Sequence, residues 1–352
     1  MRNIAFLTDG NESIATGHIQ RCLSIARAVM GPTHKIISQN RVFFIVSDEK
    51  SAKMLNSRFE RNDEFPIYIL GTDHNTLADQ APAVIDYFSQ ENADCLFIDS
   101  YFVNEEFLKT LHEFTHKNGK KLAYIDDIQA LDSYDVDVII NNSTAIIPPS
   151  YMSVPVKLCG KPYTPLRAQF AGCDHKTRSD VSDLFIATGG TDPYGISLNL
   201  AEKFISSSSL NLHILTGEFN PDLEKLNTLS KENKRLNVYH GISDVAGLMD
   251  KCDIAISAGG TTLGELCAMG IPSISFIMAS NQHDGVIEFE KDGIIPCAGD
   301  CTKDTCMVLD KLFDMASDLA SKDKEKRLKI SRKMREYVDG NGVMRIADAL
   351  LE

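Results

Sequence analysis

Asp253–Ile274 reads DIAISAGGTTLGELCAMGIPSI. The run Ile254–Ser257 is short enough for a strand and apolar enough to be covered on both faces. It leads into Gly259-Gly260-Thr261-Thr262, where an apolar pattern of helical spacing begins. A buried strand, a glycine turn and a helix make the repeating unit of a parallel sheet packed between helices. Amides and hydroxyls at such a helix start suit a diphosphate, because the first N–H groups lack intrahelical partners and carry partial positive charge. Glu265, about one turn along, suits the two hydroxyls of a ribose. A structural alternative uses the same residues: Thr262 as N-cap with Glu265 three positions later would make a capping box.

The same rhythm extends in both directions. Before the midpoint the apolar runs are Ile4–Leu7, Val42–Val46, Ile67–Leu70, Cys95–Ile98, Leu122–Ile125 and Val136–Ile140. After it they are Leu184–Ala187, Leu212–Leu215, Leu236–Tyr239, Ile254–Ser257, Ser273–Ile277 and Ile294–Pro296. Strands alternating with amphipathic stretches predict an α/β fold. Between the two sets lies Pro148–Asp180, with Pro148, Pro149, Pro155, Pro162 and Pro165 followed by the polar CDHKTRSD. It reads as the end of one domain and the linker into the next. The expectation is two doubly wound, Rossmann-like domains with a central cleft, at residues 1–165 and 166–340. Residues 341–352 would form a last helix, Gly342–Leu351, that packs back on the first domain. KDKEKRLKISRKMR reads as a charged helix with a solvated face.

Composition narrows the function classes. Of 352 residues, 43% are hydrophobic and 24% charged, which excludes a disordered chain. The net charge is -13, and both halves are acidic, so no basic face for duplex nucleic acid is expected. No apolar run reaches the ~18 residues that span a bilayer, so stable membrane insertion is not expected. MRNIAFLTDGNE lacks the apolar core of a signal peptide. Nine cysteines, an odd number without zinc spacing, read as thiols in a reducing cytoplasm.

Two further stretches open helices after strands. ATGHIQRCLSIARAVM, residues 15–30, repeats apolar residues on one helical face, so a helix starts near Gly17 and places His18 in its first turn. That position lies beyond the carboxyl end of the first strand, where open α/β sheets bind ligands. A helix N-terminus disfavours imidazolium, so His18 is expected to be neutral and able to accept a proton. Arg21 would share an anionic ligand, and Gly17 would allow close backbone approach. LFIATGGTDPYG, residues 184–195, carries Gly189, Gly190 and Thr191 after a strand; its amides could face a phosphate, or the glycines could serve a tight turn. It is neither a Walker loop nor a dinucleotide fingerprint. Asp99-Ser100-Tyr101 and Asp126-Asp127 end strands at the same edge, and the paired aspartates read as turn residues. Asn281-Gln282 could contact a ligand amide. His112 and His116, four apart, read as a solvated helix face for want of a further ligand.

In this order the motifs resemble one family. Gly-His-x-x-Arg, Asp-Ser-Tyr, Gly-Gly-Thr-Asp, Ser-Ala-Gly-Gly-Thr-Thr-x-x-Glu and Asn-Gln are similar to the UDP-2,4-diacetamido-2,4,6-trideoxy-β-L-altropyranose hydrolases of pseudaminic acid biosynthesis. These group with spore-coat polysaccharide biosynthesis proteins described as predicted glycosyltransferases. The resemblance spans roughly Ile4 to Ile346 and implies a GT-B fold. It implies inverting hydrolysis of a UDP-sugar with His18 as base and no cofactor or metal, or, as the alternative, transfer of the sugar to a hydroxyl acceptor. It further implies sugar contacts from Tyr101 and Asn281, a ribose contact from Glu265, and a diphosphate loop at Gly259, Gly260, Thr261 and Thr262. Arg167 belongs to a Gly-x-x-Tyr-x-x-Leu-Arg pattern that begins at Gly160. Segments between motifs are longer here than in the shortest hydrolases.

Overall fold

The computed structural model describes residues 2–11, 17–31, 40–60, 63–217 and 219–352. Ala15 and Thr16, which open the first helix motif, lie outside them. Two compact units emerge, 1–168 with 341–352, and 169–340.

The first unit holds strands β1 (Asn3–Thr8), β2 (Arg41–Val46), β3 (Ile67–Ile69), β4 (Cys95–Asp99), β5 (Lys121–Ile125), β6 (Val138–Asn141) and β7 (Val156–Cys159). Helices α1 (Gly17–Met30), α2 (Glu49–Ser57), α3 (Ala81–Gln90) and α4 (Glu105–Lys117) connect them. The strands pair in parallel in the order β3-β2-β1-β4-β5-β6-β7. Order reverses between β1 and β4, so the connections leaving these neighbours diverge to opposite faces and leave a crevice at their carboxyl ends. Central strands are buried on both faces, which is why they read as unbroken apolar runs: Ile4 to Leu7 and Leu96 to Ile98 are at most 1% exposed.

The second unit repeats the plan with β8 (Asp183–Ala187), β9 (Asn211–Leu215), β10 (Leu236–Tyr239), β11 (Ile254–Ala258), β12 (Ser273–Ile277) and β13 (Cys297–Asp300). Its helices are α5 (Ile196–Ser207), α6 (Leu223–Glu232), α7 (Val245–Met249), α8 (Thr261–Met269), α9 (His283–Lys291), α10 (Thr305–Ser321) and α11 (Lys324–Tyr337). The order is β10-β9-β8-β11-β12-β13, again parallel, and reverses between β8 and β11. The chain then re-enters the first unit as α12 (Gly342–Leu351). Val343, Ile346, Ala347 and Leu350 join Ile19, Cys22, Leu23 and Ala26 of α1 in one core cluster. Each large aliphatic side chain so buried stabilises the contact by roughly 1.5–3 kcal/mol.

One reading needs correction and two gain detail. Pro148–Asp180 holds the unit boundary, between 168 and 169, and the end of the first unit within it includes β7, an edge strand pairing Val156–Cys159 with β6. Prolines around an edge strand cost little, since one side of its ladder has no partner. The strand expected at Ile294–Pro296 begins after Pro296, at Cys297, where its pairing with β12 is irregular. The charged helix expected near the C-terminus is α11, which has a solvated face and an inner face with Arg327, Ser331 and Met334. Arg327 of α11 is 1% exposed and donates to the carbonyls of Lys322 and Ser179. Arg335, on the same helix, donates through Nε and Nη2 to the carbonyl of Met269, the last residue of α8.

Candidate functional site

Each unit places its candidate site residues at the point where its strand order reverses. In the first, β1 leads to α1 and so to His18, while β4 ends on Asp99. His18 is 6% exposed and Asp99 fully buried. The His18 Nδ1 lies 2.5 Å from Asp99 Oδ1. Arg21, one turn along α1, forks onto the same carboxylate through Nε at 2.5 Å and Nη2 at 2.6 Å, and its Nη1 reaches Asp127 Oδ2 at 2.5 Å. Burial on its own would raise the Asp99 pKa. The Arg21 charge and hydrogen bonds, with His18 behind them, outweigh it and hold the carboxyl well below the usual carboxylate range. An ionised Asp99 can only accept, so Nδ1 donates to it, with Arg21 Nη2 3.1 Å from the same nitrogen, and a neutral ring so held has its lone pair on Nε2. This is the tautomer a general base requires.

Arg21 therefore departs from its expected part. Its charge is matched by two carboxylates rather than left for an anionic ligand. It keeps Asp99 ionised and in place. Tyr101 stands edge-on to His18, with ring centroids 4.4 Å apart at 80°, and is 41% exposed. Burial and then the Asp127 charge push its hydroxyl up to about 12, so it stays protonated at neutral pH. Asp127 Oδ1 is buried without a hydrogen-bond partner among the described residues. Asp126 is occupied elsewhere, since its Oδ1 accepts the Gln129 N–H at 2.8 Å and its Oδ2 accepts from Tyr151 at 2.6 Å. The two aspartates are thus committed separately, one to a turn and one to Arg21. Gly17 is exposed, and a Cβ there would meet nothing within 4 Å.

In the second unit the loops after β8 and β11 occupy the equivalent place. Gly189 has φ +75°, and Asp192, fully buried at φ +45°, accepts from the backbone N–H of Ile196 at 2.9 Å and of Ser197 at 2.8 Å. Asp192 thus caps α5 from within, which leaves Gly189, Gly190 and Thr191 exposed at the surface. Gly217, for which the sequence predicts no part, is packed against them. Its N–H donates to Gly189 O at 3.1 Å, and a Cβ on it would fall 2.1 Å from Gly190 O.

After β11 the capping-box alternative fails. α8 starts at Thr261; its N-cap is Gly260, at φ +145°, with no side-chain cap. Thr262 is inside the helix, and Glu265, 6% exposed, is a turn in. The N-cap residue of α8 thus brings no side chain to its first turn, while its far end is capped by Arg335. The partial positive charge of a helix start favours an anion there. Gly259 has no room for a side chain: a Cβ would lie 2.5 Å from Val286 Cγ2 and 2.9 Å from Gln282 Cβ. Gln282 accepts the Met278 N–H at 2.9 Å, which pins it beside the turn, and Asn281 next to it is exposed. Arg167 lies half-buried near the end of the first unit's main segment.

The structure thus brings His18, Arg21 and Tyr101 together in one unit, and Gly259 and Gln282 in the other. Sequence reasoning missed that Asp99 serves His18. The signal was present in topology: β4 is the neighbour of β1, so a carboxylate ending β4 must lie beside the helix that follows β1.

No family model matches the chain. It is 25% identical over 285 residues to an uncharacterized protein of Methanocaldococcus jannaschii, covering 77% of this chain but spanning only 54% of that relative. It is 23% identical over 295 residues to the UDP-2,4-diacetamido-2,4,6-trideoxy-β-L-altropyranose hydrolase of Campylobacter jejuni, covering 82% of this chain and 97% of the hydrolase. A spore coat polysaccharide biosynthesis protein of Bacillus subtilis, SpsG, is 24% identical over 67% of this chain and 68% of its own. Among solved structures, Acinetobacter baumannii MurG superposes with a TM-score of 0.64 at 13% identity, over 100% of this chain and 99% of MurG. Among the described residues, no helix is long and apolar enough to cross a membrane.

Proposed function

We propose that this chain, similar to a UDP-diacetamido-trideoxy-altropyranose hydrolase and to a spore-coat polysaccharide biosynthesis protein and sharing the fold of MurG, hydrolyses a UDP-linked 2,4-diacetamido-2,4,6-trideoxy sugar with inversion. The Nε2 lone pair of His18 takes a proton from water as the water oxygen bonds to the anomeric carbon. The bond from that carbon to the diphosphate oxygen breaks, and UDP leaves with the electron pair. A diphosphate is a good leaving group and needs charge stabilisation rather than protonation. The turns at Gly190–Thr191 and Gly259–Thr262 supply amides for it, and Glu265 a carboxylate for the ribose. Tyr101, Asn281, Gln282 and Arg167 are assigned to the substrate. Asp127 Oδ1, buried and without a partner among the described residues, is an acceptor left over for an acetamido N–H or a hydroxyl. One observation carries this reading: His18 Nδ1 is held 2.5 Å from the buried Asp99 carboxylate, which leaves Nε2 as the nitrogen turned away from it.

Transfer to a hydroxyl acceptor would use the same base. An apolar acceptor is favoured by the exposed side chains of Ile146, Ile147, Met152 and Val156, 80%, 46%, 70% and 41% exposed. UDP release from a panel of UDP-sugars in water, without acceptor, decides between the two. Hydrolysis predicts release from the diacetamido-trideoxy donor, slowed about 10²–10⁴-fold in His18→Ala with UDP affinity retained. Release only after a lipid or polysaccharide acceptor is added would overturn hydrolysis in favour of transfer. Equal turnover by His18→Ala would remove the proposed base.

A further inference from the structure

Helix α4 carries His112 and His116 one turn apart, on the side where its end approaches the start of β6. β4 ends at the carboxyl edge of the first sheet, so α4 must run back to the amino edge before β5 can begin parallel to it. There Asp137, the residue before β6, comes beside the helix. One carboxylate oxygen, Oδ2, accepts the Leu122 N–H at 2.8 Å. The other, Oδ1, faces His112 Nε2 at 3.4 Å. The two imidazole rings have centroids 5.7 Å apart at 40°. One ligand atom from each of His112, His116 and Asp137 lies within 4.8 Å of the others.

We propose that these three side chains form a surface site for a divalent transition-metal ion of the zinc type. Two imidazoles and a carboxylate are a donor set that such ions take. With metal–ligand bonds of about 2.0–2.2 Å, tetrahedral donors stand about 3.3–3.5 Å apart. The Asp137–His112 separation is already 3.4 Å. His116 is exposed and free of packing on its outer side, so rotation of its side chain closes the remaining distance. The fourth position opens to water. The bond from Leu122 orients Asp137, as an outer-shell donor does for a metal-ligating carboxylate. This site is at the amino edge of the sheet, whereas His18 is at the carboxyl edge. It therefore ties α4 to β6 and takes no part in the hydrolysis proposed above.

The test uses chelator-treated, tag-free full-length protein titrated calorimetrically with zinc chloride, followed by cobalt absorption. The expected result is one zinc per chain, an unfolding midpoint that rises with zinc, and a cobalt spectrum without thiolate bands. His116→Gln, at an exposed position that leaves the fold intact, should weaken zinc about 100-fold, and Asp137→Asn about 10–100-fold. No zinc binding by the parent, or undiminished binding by His116→Gln and by a His112→Ala/His116→Ala double variant, would overturn the site. Thiolate bands in the cobalt spectrum would assign the metal to cysteine instead. UDP release should be the same with and without zinc, so its failure and that of the hydrolase reading are read separately.

Discussion

The two units share a topology but build unlike sites at the same place in it. Where strand order reverses in the first unit, the candidate groups are polar and charged side chains, each held by others: His18 by Asp99, Asp99 by Arg21, Arg21 by Asp127. At the equivalent place in the second unit they are glycines and backbone amides, supported by Asp192 within the first loop and by Gly217, Gln282 and Arg335 from neighbouring segments. The difference matches the two kinds of chemistry proposed for them. Moving a proton needs one side chain in one tautomer. Holding a diphosphate needs many weak donors and little bulk. It also makes the two sites fail differently: deleting a member of the first leaves a buried charge uncompensated, whereas altering the second adds a methyl group where a ligand should fit.

The largest effect should come from the first site. Asp99→Asn abolishes the acceptor that sets the His18 tautomer and leaves Arg21 half-paired. Turnover should fall about 10²-fold or more, and the first unit should lose about 3–5 kcal/mol, with UDP affinity unchanged. Steady-state kinetics with calorimetric UDP binding checks this; full activity in the variant would show that the carboxylate does not govern the base. A smaller and opposite signature is expected from Gly190→Ala. A Cβ there meets nothing within 4 Å and Gly190 needs no positive φ, so the fold should be unaffected. UDP affinity should drop about tenfold, about 1.4 kcal/mol, while turnover at saturation persists. Unaltered affinity would mean that this loop does not approach the ligand. The smallest effect is on acid stability. The folded Asp99 pKa is depressed, so its contribution is present above the ordinary value of about 4 and is lost as pH falls through the folded value. Asp99→Asn should therefore flatten the acid limb of the unfolding curve relative to the parent; parallel limbs would show that Asp99 contributes nothing to it.

Strands were legible where burial on both faces made them uniformly apolar, as at Ile4–Leu7 and Ile254–Ser257. β7 was hidden because its edge position tolerates a mixed pattern, and its four residues sit among prolines. At the sites, the residues legible in sequence were those that open a helix, because a helix start leaves a local signature. Partners joined only by folding were not. Asp99 is 81 positions from His18, and Arg335 is 66 from Met269. Gly217 lacks any local cue, since its need for a missing side chain comes from Gly190 across the sheet edge. Asp137 escaped for the same reason: spacing shows His112 and His116 as a pair, while the third group arrives with a different strand.

The return of the chain into its first unit has a temporal side. α12 closes the apolar face of α1, the helix that carries His18, yet the whole of the second unit is translated between them. At roughly 5–20 residues per second, those intervening residues take about 10–30 s to synthesise. For that interval a nascent first unit exposes Ile19, Leu23 and Ala26 where Ile346 and Leu350 will later lie. The second unit can finish folding while the first still lacks its last helix. A ribosome that stalls late would therefore release a chain whose second unit is complete and whose His18 stands on an unsecured helix.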